Sequence, residues 1–157
     1  MDSDSFRVFT FLAPADIDRL GGIPRDAIVG LVAQGTPYEL HAFTPETFKP
    51  NPSFVRFLHG LIHRCAHEIP GLKAEAQRIG EGHVYLLDGR TPTPQDAVPP
   101  EDIIGFVRAQ NGRVVPGSYE PNENHRIVTA AGLFRLPIEL HERLLEAMRS
   151  LPPNTAD

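Results

Sequence analysis

Proline and glycine interrupt this chain so often that no element can run far: 16 Pro and 13 Gly stand among its 157 residues. The pair averages nearer ~12% of a globular sequence. Each proline lacks a backbone donor and ends or kinks a helix, so the fold is expected to be loop-rich with short elements. The densest run, Thr91-Pro92-Thr93-Pro94 through Val98-Pro99-Pro100, excludes helix and central strand. It reads as an ordered, polyproline-like loop inside one domain, with a domain linker as the alternative. With 41% apolar and 22% charged residues the composition is globular. A single α+β domain is expected over residues 1–150, with a flexible C-terminal tail at 151–157.

Between the interruptions, periodicity places the elements. Phe6 to Leu12 reads as a strand with apolar residues on both faces. Pro14 opens a short helix that Gly21-Gly22 closes. Ala27–Ala33 and Tyr38–Phe43 read as strands around a turn at Gln34-Gly35-Thr36-Pro37. The clearest helix starts at Asn51-Pro52, with Asn51 as N-cap, and runs to about Glu68; Phe54, Leu58, Leu61, Ile62, Cys65 and Ile69 make its apolar stripe. Pro70-Gly71 stops it, and Leu72–Ile79 forms a second, shorter helix. His83–Leu87 is a strand. Ile103–Ala109 and Arg113–Val115 form a hairpin around Asn111-Gly112, the strongest short-range hairpin signal. Arg126–Ala130 is a further strand, and Pro137–Arg149 closes the chain as a helix. Hairpins and helices without strict alternation favour a mainly antiparallel or mixed sheet packed by two main helices.

Charge narrows the partners. The net charge is −5, and no block of Lys and Arg stands out, so nucleic acid is not an expected partner. Basic charge is almost entirely arginine, with Lys49 and Lys73 the only lysines; arginine suits forked recognition of carboxylate or phosphate, though compositional bias produces the same excess. The lone Cys65 allows no internal disulfide and falls within an apolar stripe, where a thiol behaves as a small hydrophobe. No secretory pattern opens the chain and no apolar run approaches membrane-spanning length. The expectation is a soluble, cytoplasmic protein with no membrane partner.

Two constellations carry chemistry. His59, His63 and His67 recur every fourth residue on the long helix, about 150° from the centre of its apolar stripe at 3.6 residues per turn. His59 and His63 have the spacing that grips one zinc ion in zinc proteases, but the glutamate base of that motif is missing. His67 lies about 12 Å from His59 along the axis, so one ion cannot take all three. The face is a zinc site using His59 and His63, an anion groove, or a solvated surface. The second constellation lies on loops. Asp88-Gly89-Arg90 ends a strand, and Tyr119-Glu120-Pro121-Asn122-Glu123-Asn124-His125-Arg126 gathers a phenol, two amides, an imidazole and a guanidinium. Loop groups held by a sheet are common binding groups; Asn and Asp also favour turns for local reasons. His125 and Asp88 are the candidate catalytic pair, and Arg90, Arg126, Tyr119, Asn122 and Asn124 the candidate ligand contacts. Arg90 and Arg126 would fork onto one anion if their strands lie close.

Gly82–Leu87 followed by Val98-Pro99-Pro100-Glu101-Asp102-Ile103-Ile104-Gly105 resembles the late strands of bacterial signal peptidases, where a similar run returns into the sheet. That family's nucleophile is a Ser in a Ser-Met-x-Pro motif paired with a Lys. This chain has no Ser-Met-x-Pro, and the resemblance implies a strand entry and no activity. No Gly-x-Ser-x-Gly elbow, phosphate loop, calcium-binding loop or paired-Cys motif occurs either. The first expectation is therefore a small binding or interaction protein for an anionic ligand or a protein partner. The second is a small hydrolase or transferase acting on an anionic substrate through the Arg/His/Asp loops. The third is a metal-dependent enzyme using the histidine face.

Overall fold

The computed structural model describes residues 6–90 and 98–152. Residues 91–97 of the proline-rich run and 153–157 of the expected tail lie outside the described residues. The class is α+β: the described residues form four helices and three antiparallel sheets. The chain divides into two compact units, one from residues 6–58, 128–133 and 142–152, the other from 59–90, 98–127 and 134–141. No described helix is long and apolar enough to cross a membrane.

In the first unit, β1 (Phe6–Phe9), β2 (Gly30–Ala33) and β3 (Phe48–Pro50) pair antiparallel in that order. Between β1 and β2, helix α1 (Pro14–Leu20) starts on its proline and ends on Gly21, whose φ of 73° supplies the left-handed cap. β3 was not anticipated, and the expected strand Tyr38–Phe43 does not form. Those residues make a short 3₁₀ turn at Leu40–Ala42. Ring packing displaces strand pairing there: Phe43 is fully buried and stacks on Phe48 at 5.3 Å, edge-on to Phe9 at 5.3 Å. Thr44 and Thr47 then bond to each other and turn the chain into β3. Helix α2 (Pro52–Cys65) begins as the sequence indicates, with Asn51 Oδ1 accepting the Ser53 N–H at 3.2 Å. It ends three residues early, its last turn tightening to 3₁₀ at Ala66–Glu68.

The second unit carries the rest of the chemistry. Helix α3 (Pro70–Ile79) starts two residues earlier than expected, because Pro70 is its own first-turn proline as well as the end of the preceding turn. Strand β4 (Gly82–Leu87) pairs antiparallel with β5 (Ile103–Gln110). β5 turns into β6 (Arg113–Val114) through Asn111 and Gly112, with φ of 55° and 75°. Positive φ at both positions is the primed turn that Asn-Gly favours. A short strand not anticipated from sequence, β7 (Glu120–Pro121), also pairs with β5, setting Gly105 opposite Pro121. The expected strand Arg126–Ala130 contracts to β8 (Val128–Thr129), which pairs with β9 (Gly132–Leu133) in the first unit. Helix α4 (Ile138–Arg149) follows.

Candidate functional site: a closed polar network

A β-bulge at Leu86/Leu87 ends regular pairing just before Asp88. Asp88 is therefore free of the ladder's side-chain alternation, and its carboxylate turns inward, wholly buried. A buried carboxylate must have donors, and this one has four. Oδ1 accepts the backbone N–H of Arg90 at 3.1 Å and of Arg135 at 2.8 Å. Oδ2 faces His125 Nε2 at 3.0 Å and Arg90 Nη2 at 3.4 Å. An ionised carboxylate only accepts, so its bond to His125 puts the proton on Nε2.

Arg90 is the hub. Its side chain is 2% exposed. Nε donates to Asp102 Oδ1 at 2.8 Å, and Nη1 donates to the Ile127 carbonyl at 3.2 Å. Nη2 donates to the carbonyls of Glu101 and Arg126. One guanidinium thus ties the end of β4, the turn before β5 and the loop after β7. Asn122 adds a second tie: its amide donates to the carbonyls of Pro100 and Ile103, both at 2.8 Å. Its Oδ1 accepts the Asn124 N–H at 3.2 Å, an Asx-type turn.

Next to this network stands a second pair. Tyr119 is buried, and its hydroxyl lies 2.8 Å from His59 Nδ1 and 3.4 Å from the Ile104 carbonyl. Gly105 makes room: a Cβ there would collide with the Tyr119 ring and the Glu120 carbonyl. Burial, and secondarily the charge of His125, pull the His59 imidazole from its ordinary 6.5 down to about 4. Burial pushes the Tyr119 phenol up. Near neutral pH both groups are uncharged, and the bond between them is neutral to neutral.

Several sequence expectations change here. Asp88, Arg90 and His125 do meet, as expected of one site. Arg90 and Arg126 do not fork onto one anion: Arg90 is engaged inside, while the Arg126 guanidinium is exposed, with the His125 carbonyl 3.5 Å from Nη1. Both residues lie in the loop ahead of β8, outside any strand pairing, and the bond to Asp88 holds His125 inward while Arg126 is left outside. Asn122 spends its amide on backbone carbonyls, and Tyr119 is buried. Asn124 remains on the surface. His59 is not on a solvated face but turned to Tyr119, whereas His63 is exposed. Among the described residues no group of three or more His, Cys, Asp or Glu side chains could hold a metal ion, so the zinc expectation for His59 and His63 finds no further ligand. Asp102 escaped notice in the sequence. The signal was present: an acid directly before an apolar strand, in a chain whose arginine Arg90 needs a partner.

No protein-family model, no curated protein and no solved structure matches this chain.

Proposed function

We propose that this chain is a non-catalytic binding or interaction protein in which the Asp88–Arg90–Asp102–His125 network is a scaffold. It acts in the cytoplasm on a small anionic ligand or a protein partner rather than on nucleic acid. The observation that carries this reading is the saturation of Arg90: a guanidinium 2% exposed, engaged by two carboxylates and three backbone carbonyls. A group so occupied fixes loops; it has no free edge to offer a substrate. The net charge of −5 supports the exclusion of nucleic acid.

A second reading rests on Asp88 and His125. A buried carboxylate 3.0 Å from an imidazole, with a neutral second imidazole nearby, is the apparatus of general acid–base catalysis. In that reading the protein is a hydrolase or transferase for an anionic substrate.

Histidine modification by diethylpyrocarbonate, read residue by residue by mass spectrometry, separates the two. The scaffold reading expects His41, His63 and His83 to react in the folded protein and His125 to stay protected. Modification of His125 at the rate of those exposed residues overturns it. So does hydrolysis of a phosphomonoester or carboxylic ester that the parent performs and His125→Ala abolishes.

A further inference from the structure

The cations of the second unit fall into two kinds. Arg78 is paired with Glu75, and Arg90 with Asp88 and Asp102. Lys73 and Arg113 have no ion pair among the described residues, and both line one cleft. This cleft has a volume of about 470 Å³ and opens between α3 and the β5–β6 hairpin. Its helical wall is made by His67, Lys73 and Gln77, the last two one turn apart on the same face of α3. Its hairpin wall is made by Asn111, Gly112 and Arg113.

The chemistry of this lining is one-sided. It holds a lysine, an arginine, an imidazole and two carboxamides, and no carboxylate. Two acids border it and are otherwise engaged: Glu81 accepts the Asn111 backbone N–H at 2.8 Å, and Glu68 lies 3.7 Å from His67 Nε2. The turn itself is held in place, since the Gly112 N–H donates to the Gly80 carbonyl at 3.0 Å. The lining is also unsatisfied. The Nδ1 of His67 is buried without a hydrogen-bond partner, a state that costs about 1–3 kcal/mol unless something relieves it.

We propose that this cleft is a binding site for a small phosphorylated molecule, with Lys73 and Arg113 closing on the phosphate from opposite walls. A lone phosphate would leave most of the space empty, and ligand pockets of this size hold drug-sized molecules. The phosphate therefore carries an organic part, which Gln77 and the Asn111 amide contact. Arg113 supplies a planar fork and Lys73 a point charge, a complementary pair for a tetrahedral dianion. The site stands apart from the role of the Asp88–His125 network, and either outcome there leaves it intact.

The test is amide chemical-shift titration of the full-length protein with inorganic phosphate, AMP and uncharged adenosine. Saturable shifts at Lys73, Gln77 and Asn111–Val114 are expected with phosphate and AMP, tighter with AMP, and absent with adenosine. Lys73→Ala and Arg113→Ala, both at exposed positions, should each weaken AMP binding about tenfold or more, the worth of one charge-assisted contact, without lowering the melting temperature. Absence of saturable shifts there overturns the proposal, as do shifts that both variants retain. Equal binding of adenosine also overturns it, because the phosphate would then carry none of the recognition.

Discussion

Replacing Arg90 with lysine keeps the charge and removes the fork, and the structure says what that does. The guanidinium spreads its donors over three nitrogens: Nε to Asp102 at 2.8 Å, Nη1 to the Ile127 carbonyl at 3.2 Å, and Nη2 to Asp88 and two further carbonyls. A lysine ammonium occupies one point and reaches the acceptors around that point alone. If it follows Asp102, the carbonyls of Glu101 and Arg126, at exposed positions, and of Ile127, partly buried, lose their common donor. Each lost bond is worth about 0.5–1.5 kcal/mol, more where a buried acceptor stays unpaired. The expected loss for Arg90→Lys is about 2–3 kcal/mol. Arg90→Met leaves two buried carboxylates without their cation and should cost about 3–5 kcal/mol, the range for breaking a buried pair. Equilibrium urea unfolding measures both, with the midpoint shifting at constant slope if the transition stays two-state. In a chain of this length each kcal/mol moves the melting temperature about 2–4 °C. An Arg90→Lys variant within about 0.5 kcal/mol of the parent would refute the argument, since surface substitutions already account for changes of that size.

Three further perturbations test other parts of the fold. Gly105→Ala drives a methyl into the Tyr119 ring and the Glu120 carbonyl; it should cost about 1–3 kcal/mol by overpacking and raise the His59 titration midpoint toward 6.5, read by NMR. Gly112→Val puts a β-branched residue at φ 75° and should cost about 1–2 kcal/mol; an unchanged melting temperature would count against the primed turn. For pH, His59 takes a proton near 6.5 when unfolded and only near 4 when folded. The His59 contribution to stability should therefore fall as pH drops from about 6.5 to 4 and level off below. The shift sets a ceiling of about 3 kcal/mol, which the partial exposure of His59 and solvent screening reduce to about 1–2 kcal/mol. His59→Gln should flatten that slope in pH-dependent denaturant unfolding.

What could be read from the sequence was local. Asn111-Gly112 fixes a turn by its own φ preferences, and Asn51-Pro52 starts a helix with its own side chain. Both are decided within a few residues, so one sequence suffices. The Asp88, Arg90 and His125 loops were legible because polar groups between strands have few other uses. Their partners were not. Asp102 lies 12 residues from Arg90 and Tyr119 lies 60 from His59, and nothing in spacing announces such pairings. His59 shows the limit most clearly: helical phase places it away from the apolar stripe of α2, yet a neighbouring loop covers it and brings a phenol. Phase describes one helix and is silent about what packs on its other side. Phe43 failed for a related reason, since its burial against Phe9 and Phe48 outweighs a strand propensity worth about 1 kcal/mol at most.

The contrast between Arg90 and Arg113 gives these observations a common logic. Both are arginines beside β5, and sequence marks Arg90 as the better ligand contact because it follows an Asp-Gly at a strand end. Partner accounting reverses that order. Arg90 has an acceptor for every nitrogen, so an incoming anion would have to compete with two carboxylates already in contact and break three carbonyl bonds. Arg113 has no ion pair among the described residues and faces a cleft with Lys73; an anion there displaces water alone. The two carboxylates beside Arg90 also offset its attraction for a dianion, so the groups differ both in their surroundings and in what each must give up. That difference, several hydrogen bonds against none, exceeds any advantage that loop position confers on Arg90.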